Sequence, residues 1–417
     1  MRGVAALLLV LCLGVGTSAG QPGAKLAPGA KPRVRAITAF VRLDREHYEK
    51  QVADALAVVR KAKAEFEAAG YEVETVRMTT QPLAELVQGM SEDEALKFLG
   101  AFDALAGKEH FAPNIGPAMM HDSDDMKTMH LLERVLSTLP RLRASAIIAD
   151  EKEGIHWKTI RRSAELVKYV SEHSQRSEGT LNFAGAAMVK PMGPFFPASY
   201  HTGAGGQFGI GYESANVAQD VLAKDKGNVD LAIKDLTAAL TTHALVAERI
   251  GNEVAKATGW SYVGLDATPA PMGDVSIAAA MESFTGAKFG SRGTMTAARV
   301  ITTAVKAIPV KQTGYAGLML PVMEDNVMSE RWDEGTYTVD ALLAYSSVCA
   351  TGLDTVPLPG DVTVEQMEWM FRDVATLAYK WNKPLAVRLD PVAGKKAGER
   401  TEFEDSTLKN VVIRALP

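Results

Sequence analysis

The amino-acid sequence predicts an α/β protein whose strands pair in parallel, either closed into a barrel or laid out as one large open sheet. Short apolar, strand-like runs alternate along the chain with amphipathic stretches of helical period. Connections of that length bring the next strand alongside in the same direction, which a tight turn cannot do.

The elements follow in chain order. Residues 1–20 pass from Arg2 through an unbroken apolar run, Val4 to Val15, into Thr17-Ser18-Ala19-Gly20, the pattern of a signal peptide. The run falls short of the ~20 residues that span a bilayer, and no later stretch reaches that length. Cleavage there predicts an exported protein, with 21–32 (QPGAKLAPGAKP) as a flexible spacer and 33–417 as a single domain. The domain opens with a βαβ unit over 33–79. RVRAITAFVRL reads as a strand, Asp44 starts a helix carrying Tyr48, Val52, Leu56, Val59 and Phe66, and Tyr71 to Met78 reads as the next strand. Ser91 with Glu94 predicts a capping box for a helix that Gly107 stops. A helix over about 124–138, the strand ASAIIAD and a helix over about 156–174 come next. The strand-like runs LNFAGAAMV, WSYVGLD, YAGLMLPV, DTVPL and PLAVRL then alternate with helices, among them one stopped by Gly259 and others near 294–307, 339–348 and 363–381.

Composition narrows the function. The 417 residues are 47% hydrophobic and carry 45 Lys plus Arg against 50 Asp plus Glu, with no basic cluster beyond pairs such as Lys395-Lys396. That balance argues against a nucleic-acid partner. Removal of the leader takes Cys12 with it and leaves Cys349 alone, so an intramolecular disulfide is excluded.

In parallel α/β folds the loops at the carboxyl ends of the strands gather into one site. Those loops carry His201 and Glu213, Asp266, Glu324 with Asp325, Asp354 with Asp361, and Arg388 with Lys395 and Lys396. Aspartates there also serve as helix caps. The segment PFFPASYHTGAGG describes a rigid loop presenting Tyr200 and His201. Its glycines allow either close backbone approach to a ligand or tight packing, and Phe208 breaks the dinucleotide fingerprint. In AMMHDSDDMKTMH, His121 and His130 share no simple face, while the methionines fit a core. Cys349 is either a nucleophile or a buried inert thiol.

Together, the blocks KPMGPFFPASYH, LDATPAP with FGSRGT, GLMLPVMED, SSVCATGLDTVPLPGD and KPLAVRLDPVAGKKAGERTEF resemble the domain-of-unknown-function 711 family, also called uncharacterised protein family 0210. The resemblance covers the chain beyond the leader. It implies a barrel of the pyruvate formate-lyase, glycyl-radical-enzyme type, in which two five-stranded parallel sheets surrounded by helices close around a central site. It does not extend to radical chemistry, because the carboxyl-terminal glycines lie in PVAGKKAGE, without an Arg-Val-x-Gly-aromatic loop.

The expected function is a non-radical enzyme acting on a small anionic or polyhydroxylated metabolite in the barrel mouth. Arg388, with Lys395 or Lys396, would hold a carboxylate or phosphate. His201 would act as general acid or base, oriented by Glu324 or Asp325. Tyr200, Glu213 and Asp266 would complete the substrate site, and Cys349 stands as a further catalytic candidate. Asp354 and Asp361, with Glu324 and Asp325, offer hard oxygen ligands for Mg²⁺ or Ca²⁺. The rival reading is an exported small-molecule binding protein without catalysis. A homo-oligomer is left open, and His201 and Arg388 are expected in one concave site.

Overall fold

The computed structural model describes residues 23–348 and 351–416. The predicted leader and Cys349 lie outside the described residues. Segment 23–32 forms no helix or strand and is hydrogen-bonded to the domain at three points: Gly29 donates its N–H to Asp220 (2.7 Å), and Arg33 and Asp274 donate to the carbonyls of Ala24 and Gly23.

The strands are β1 (Arg33–Phe40), β2 (Val76–Thr79), β3 (Ala112–Pro117), β4 (Arg143–Asp150), β5 (Gly154–Ile155), β6 (Phe183–Ala187), β7 (Gln207–Glu213), β8 (Ser261–Asp266), β9 (Gly352–Pro359) and β10 (Leu385–Val392). They form one sheet in the order β8-β7-β1-β2-β3-β4-β6-β10-β9, with the short β5 paired to β4. The run β1-β2-β3-β4-β6 is parallel throughout, as the helical crossovers demand. At its two edges the direction reverses, because β7 runs antiparallel to β1 and β10 antiparallel to β6. The parallel partners β8 and β9 then extend the sheet outward.

Isolated parallel bridges, Leu265 to Gln312 and Pro321 to Asp354, bring the intervening segment against both edge strands. No continuous ladder joins β8 to β9 among the described residues. The fold is thus a large, mostly parallel sheet surrounded by helices, and the closed barrel does not follow from its hydrogen bonding. The apolar run YAGLMLPV, expected as a strand, is irregular: Gly314 and Ala316 take φ values of 69° and 47°, outside the range a ladder accepts.

The helices are set by local chemistry and by one buried stripe each. Ser91 and Glu94 make the predicted capping box for Glu92–Glu109, and Thr363 with Gln366 makes another for Val364–Trp381. Val364–Trp381 buries Met367, Phe371, Val374, Ala375 and Ala378. Gly185 in β6 permits that packing, since a Cβ there would fall 2.6 Å from the Phe371 ring. Among the described residues no helix is long and apolar enough to cross a membrane.

The other face of the sheet is covered by chain 188–206 instead of helices. One polar side chain from each of three neighbouring strands holds it. Thr38 Oγ1 donates to the Pro194 carbonyl (2.9 Å), Asn114 Nδ2 donates to the Pro197 carbonyl (2.6 Å), and Thr79 and Ser199 share a hydroxyl hydrogen bond (2.9 Å). Phe195, Ala198 and Tyr200 pack there with Ile147, Ala184, Ala186, Tyr315 and Met319 in a second, smaller core.

Candidate functional site

Beside this inner core lies a cavity of about 360 Å³ at the amino ends of the parallel strands. Period-2 alternation puts Arg77 on the face of β2 that also carries Thr79, and Arg143 on the face of β4 that carries Ile147. Arg35 is out of phase with Thr38, but the pairing of β1 with β7 shifts register between Val34 and Ala36, and this irregularity turns Arg35 inward. A second shift lies across the cavity, where Arg388 of β10 faces both Asp354 and Thr355 of β9. Thr355 adopts φ 47°, a strained value for a β-branched residue.

The bulge delivers a triad. Arg388 donates from Nε to Asp354 Oδ1 (2.5 Å) and from Nη2 to Glu324 Oε1 (2.6 Å). Arg35 bonds Glu74 at 3.0 Å and stands 3.9 Å from Glu324. Burial alone would push both carboxyls of the triad up. For Glu324 the charges of Arg388 and Arg35 prevail and hold it below the ordinary carboxylate range. Burial, with the charge of Glu324 nearby, leaves Asp354 raised. Arg388, between two carboxylates, is raised despite its burial.

Arg77 and Arg143 differ from these arginines. Among the described residues neither has a carboxylate within 4.0 Å. Arg77 donates from Nε to Thr75 Oγ1 (2.9 Å) and lies over the Phe196 ring at 5.1 Å. Arg143 donates to the Arg141 carbonyl (3.2 Å). Burial, then the neighbouring Arg35 and Arg143, push the Arg77 guanidinium well down. Burial also lowers Arg143, although Asp405 at the cavity mouth partly offsets it.

Of the residues expected from sequence, Glu324, Asp354 and Arg388 converge. Arg388 is not a free anion holder, because two carboxylates occupy it. His201 is elsewhere. It is buried near the end of β2, its N–H donating to the Thr80 carbonyl and its Nε2 paired with Gln207 Oε1 at 2.8 Å, and it does not line the cavity. The reversal of strand direction explains the separation: the carboxyl ends of the parallel run and of β9 and β10 lie at opposite ends of the sheet.

Asp325 faces away from its neighbour Glu324. It accepts hydrogen bonds from Ser276 Oγ and from the N–H groups of Ile277, Ala278, Val327 and Met328, capping two helices at once. Asp266 binds the N–H groups of Thr268, Tyr315 and Ala316, so it positions Tyr315 in the cavity wall without reaching the cavity itself. Glu213 is buried against Arg33 (2.9 Å), and Tyr200 donates its hydroxyl to the Val189 carbonyl (3.0 Å). Lys395 pairs with Glu402, while Lys396 and Asp361 are exposed on the outside. Among the described residues no three His, Cys, Asp or Glu side chains are grouped to hold a metal ion. Glu324 and Asp354 direct oxygens to Arg388, and Asp325 directs both of its own to helix ends.

The comparisons agree with the sequence blocks. The family profile described as "Uncharacterised ACR (DUF711)" matches residues 28–405. A UPF0210 protein of Pyrobaculum aerophilum is 30% identical over 354 residues, covering 79% of this chain and 76% of the relative. A UPF0210 protein of Methanocaldococcus jannaschii is 27% identical over 333 residues, covering 77% and 70%. Among solved structures, an anaerobic ribonucleotide reductase aligns over 91% of this chain and 74% of its own, at 8% identity and a TM-score of 0.36. A likeness that weak carries no argument about chemistry.

Proposed function

We propose, for a chain that belongs to the DUF711 family, that the inner cavity is the active site of a non-radical enzyme moving a proton on a small anionic or polyhydroxylated metabolite. The convergence of Glu324, Asp354 and Arg388 at a strained β-bulge inside a buried cavity carries this reading. Glu324, kept ionised by two arginines, takes the proton. Asp354, whose carboxyl is raised by burial above the ordinary carboxylate range, returns one. Two carboxyls whose surroundings push them apart divide acid and base work in this way. Arg388 fixes both in place, and the apolar wall of Phe195, Tyr315 and Met319 limits water. Closure of the sheet into a barrel by segment 312–321 belongs to the same proposal, supported by the two isolated bridges.

The test is to identify the retained metabolite by native mass spectrometry and incubate it with the protein in D₂O. Wild-type protein is expected to exchange or convert the ligand, and Glu324→Gln to keep the ligand while losing on the order of 10²-fold in rate. A ligand recovered unlabelled and unchanged from wild type would make the protein a binder. Export is proposed on the leader alone, and N-terminal sequencing of protein from its own host decides it: a start near Gln21 agrees, and an intact Met1 refutes it.

A further inference from the structure

We infer that Arg77 and Arg143 form an oxyanion subsite that takes the phosphate or carboxylate group of the ligand. The inference rests on the proposed active site for what the bound group is used for, and on independent geometry for the binding. Four arginines line the cavity, and the carboxylates are unevenly distributed among them. Glu74 takes Arg35, and Glu324 and Asp354 take Arg388. Arg77 and Arg143 are left as guanidinium groups in a cavity wall, each donating one N–H to a hydroxyl or carbonyl.

Two neighbouring cations, Arg77 buried and Arg143 half-buried, repel each other and are incompletely solvated, an arrangement that an incoming anion relieves. The guanidinium fork also suits an oxyanion, because its parallel N–H groups match two oxygens of one group. Arg77 is already held over Phe196 and tied to Thr75, so little of its freedom is lost on binding. The subsite shares its cavity with Glu324, so an anion on Arg77 and Arg143 leaves the rest of a small ligand facing the proton acceptor. Sugars without an acidic group would leave both arginines uncompensated. The substrate class is therefore a small phosphate ester or a short organic acid.

The probes are inorganic phosphate and malonate, titrated calorimetrically and by thermal melting. At least one should bind wild type saturably and raise its melting temperature. Binding of phosphate alone indicates a phosphate ester, and of malonate alone a carboxylate. Arg77→Met and Arg143→Met should each weaken that binding at least tenfold. Arg42→Met should leave it unchanged, since Arg42 is an exposed residue paired with Glu85. Without anion, Arg77→Met should melt no lower than wild type, because it removes an unpaired buried charge. If it does not fold, Arg77→Lys keeps the charge, loses the fork and should still weaken binding. Wild type that binds neither probe, or methionine variants that bind like wild type, overturn the subsite. The two readings fail separately. Glu324→Gln should bind phosphate or malonate normally, so anion binding without any exchange in D₂O keeps the subsite and sinks the enzyme. Exchange into a neutral polyol without anion binding does the reverse.

Discussion

Arg388→Met is expected to destabilise the protein by about 3–5 kcal/mol, the usual cost of stripping one partner from a buried ion pair. Here one guanidinium serves two carboxylates, Asp354 at 2.5 Å and Glu324 at 2.6 Å, each with little exposure. Methionine fills much of the same volume, so the loss comes from the two stranded acids and not from a void. Arg35, 3.9 Å from Glu324, compensates only part of it. Urea denaturation at pH 7 measures the effect. Adding Asp354→Asn and Glu324→Gln to the variant should recover a large share, because no buried charge is then left alone. A loss below about 1 kcal/mol would mean that the triad is solvated and that its acid–base division does not exist.

Asp390→Asn is expected to stabilise the protein at neutral and higher pH and to leave it unchanged near pH 4. Burial pushes the Asp390 carboxyl up to about 7, against an ordinary value of 3.8. Its hydrogen bonding fits the protonated form. Thr180 Oγ1 lies within bonding distance of both the Ser177 carbonyl (2.9 Å) and Asp390 Oδ1 (3.0 Å), and one hydroxyl has one proton to give. An acid raised in the folded state keeps a proton that the unfolded chain has already released, so stability falls as pH climbs from about 4 to about 7 and is level beyond. The span sets a ceiling of about 4 kcal/mol. Asparagine resembles the protonated acid and donates to Thr180 at every pH. Thermal melts of both proteins from pH 4 to 8 should diverge steadily up to about pH 7, with the variant higher. Parallel curves would contradict a buried, proton-retaining Asp390.

Much of the fold was legible because apolar runs and caps act locally. The strands β1, β4, β6, β8, β9 and β10 coincide with apolar runs, and the capping box at Ser91 forms as its residues require. β3 (APNIGP) and β7 (QFGIGYE) carry no strand signal in the sequence because their glycines and prolines leave few side chains to show an alternation. YAGLMLPV failed the other way: it is apolar enough for a strand, but Asp266 ties down the N–H groups of Tyr315 and Ala316. The site divides along similar lines. Glu324, Asp354 and Arg388 stand out in the sequence as polar residues beside strongly apolar runs, although Asp354 and Arg388 lie within β9 and β10 and not in loops at strand ends. His201 is joined to them only on the premise that all strands run one way, and strand direction is a tertiary property, whereas Asp325 and Asp266 turn to backbone N–H groups that a sequence does not place. Arg35, Arg77 and Arg143 stand at amino ends, where polar residues usually mark only the start of a strand.

The chain that covers the inner face also constrains the order of assembly. Its three tethers join residues 156, 83 and 120 positions apart, and each comes from a different strand. Contacts that distant carry a loop-closure cost that local helices do not bear, so they are expected to form after the helices and the neighbouring β1, β2 and β3. Phe195, Phe196 and Pro197 reach the cavity wall only at that stage. The cavity is accordingly expected to be complete only once that layer is in place, so the proposed anion should bind chains whose inner layer has formed.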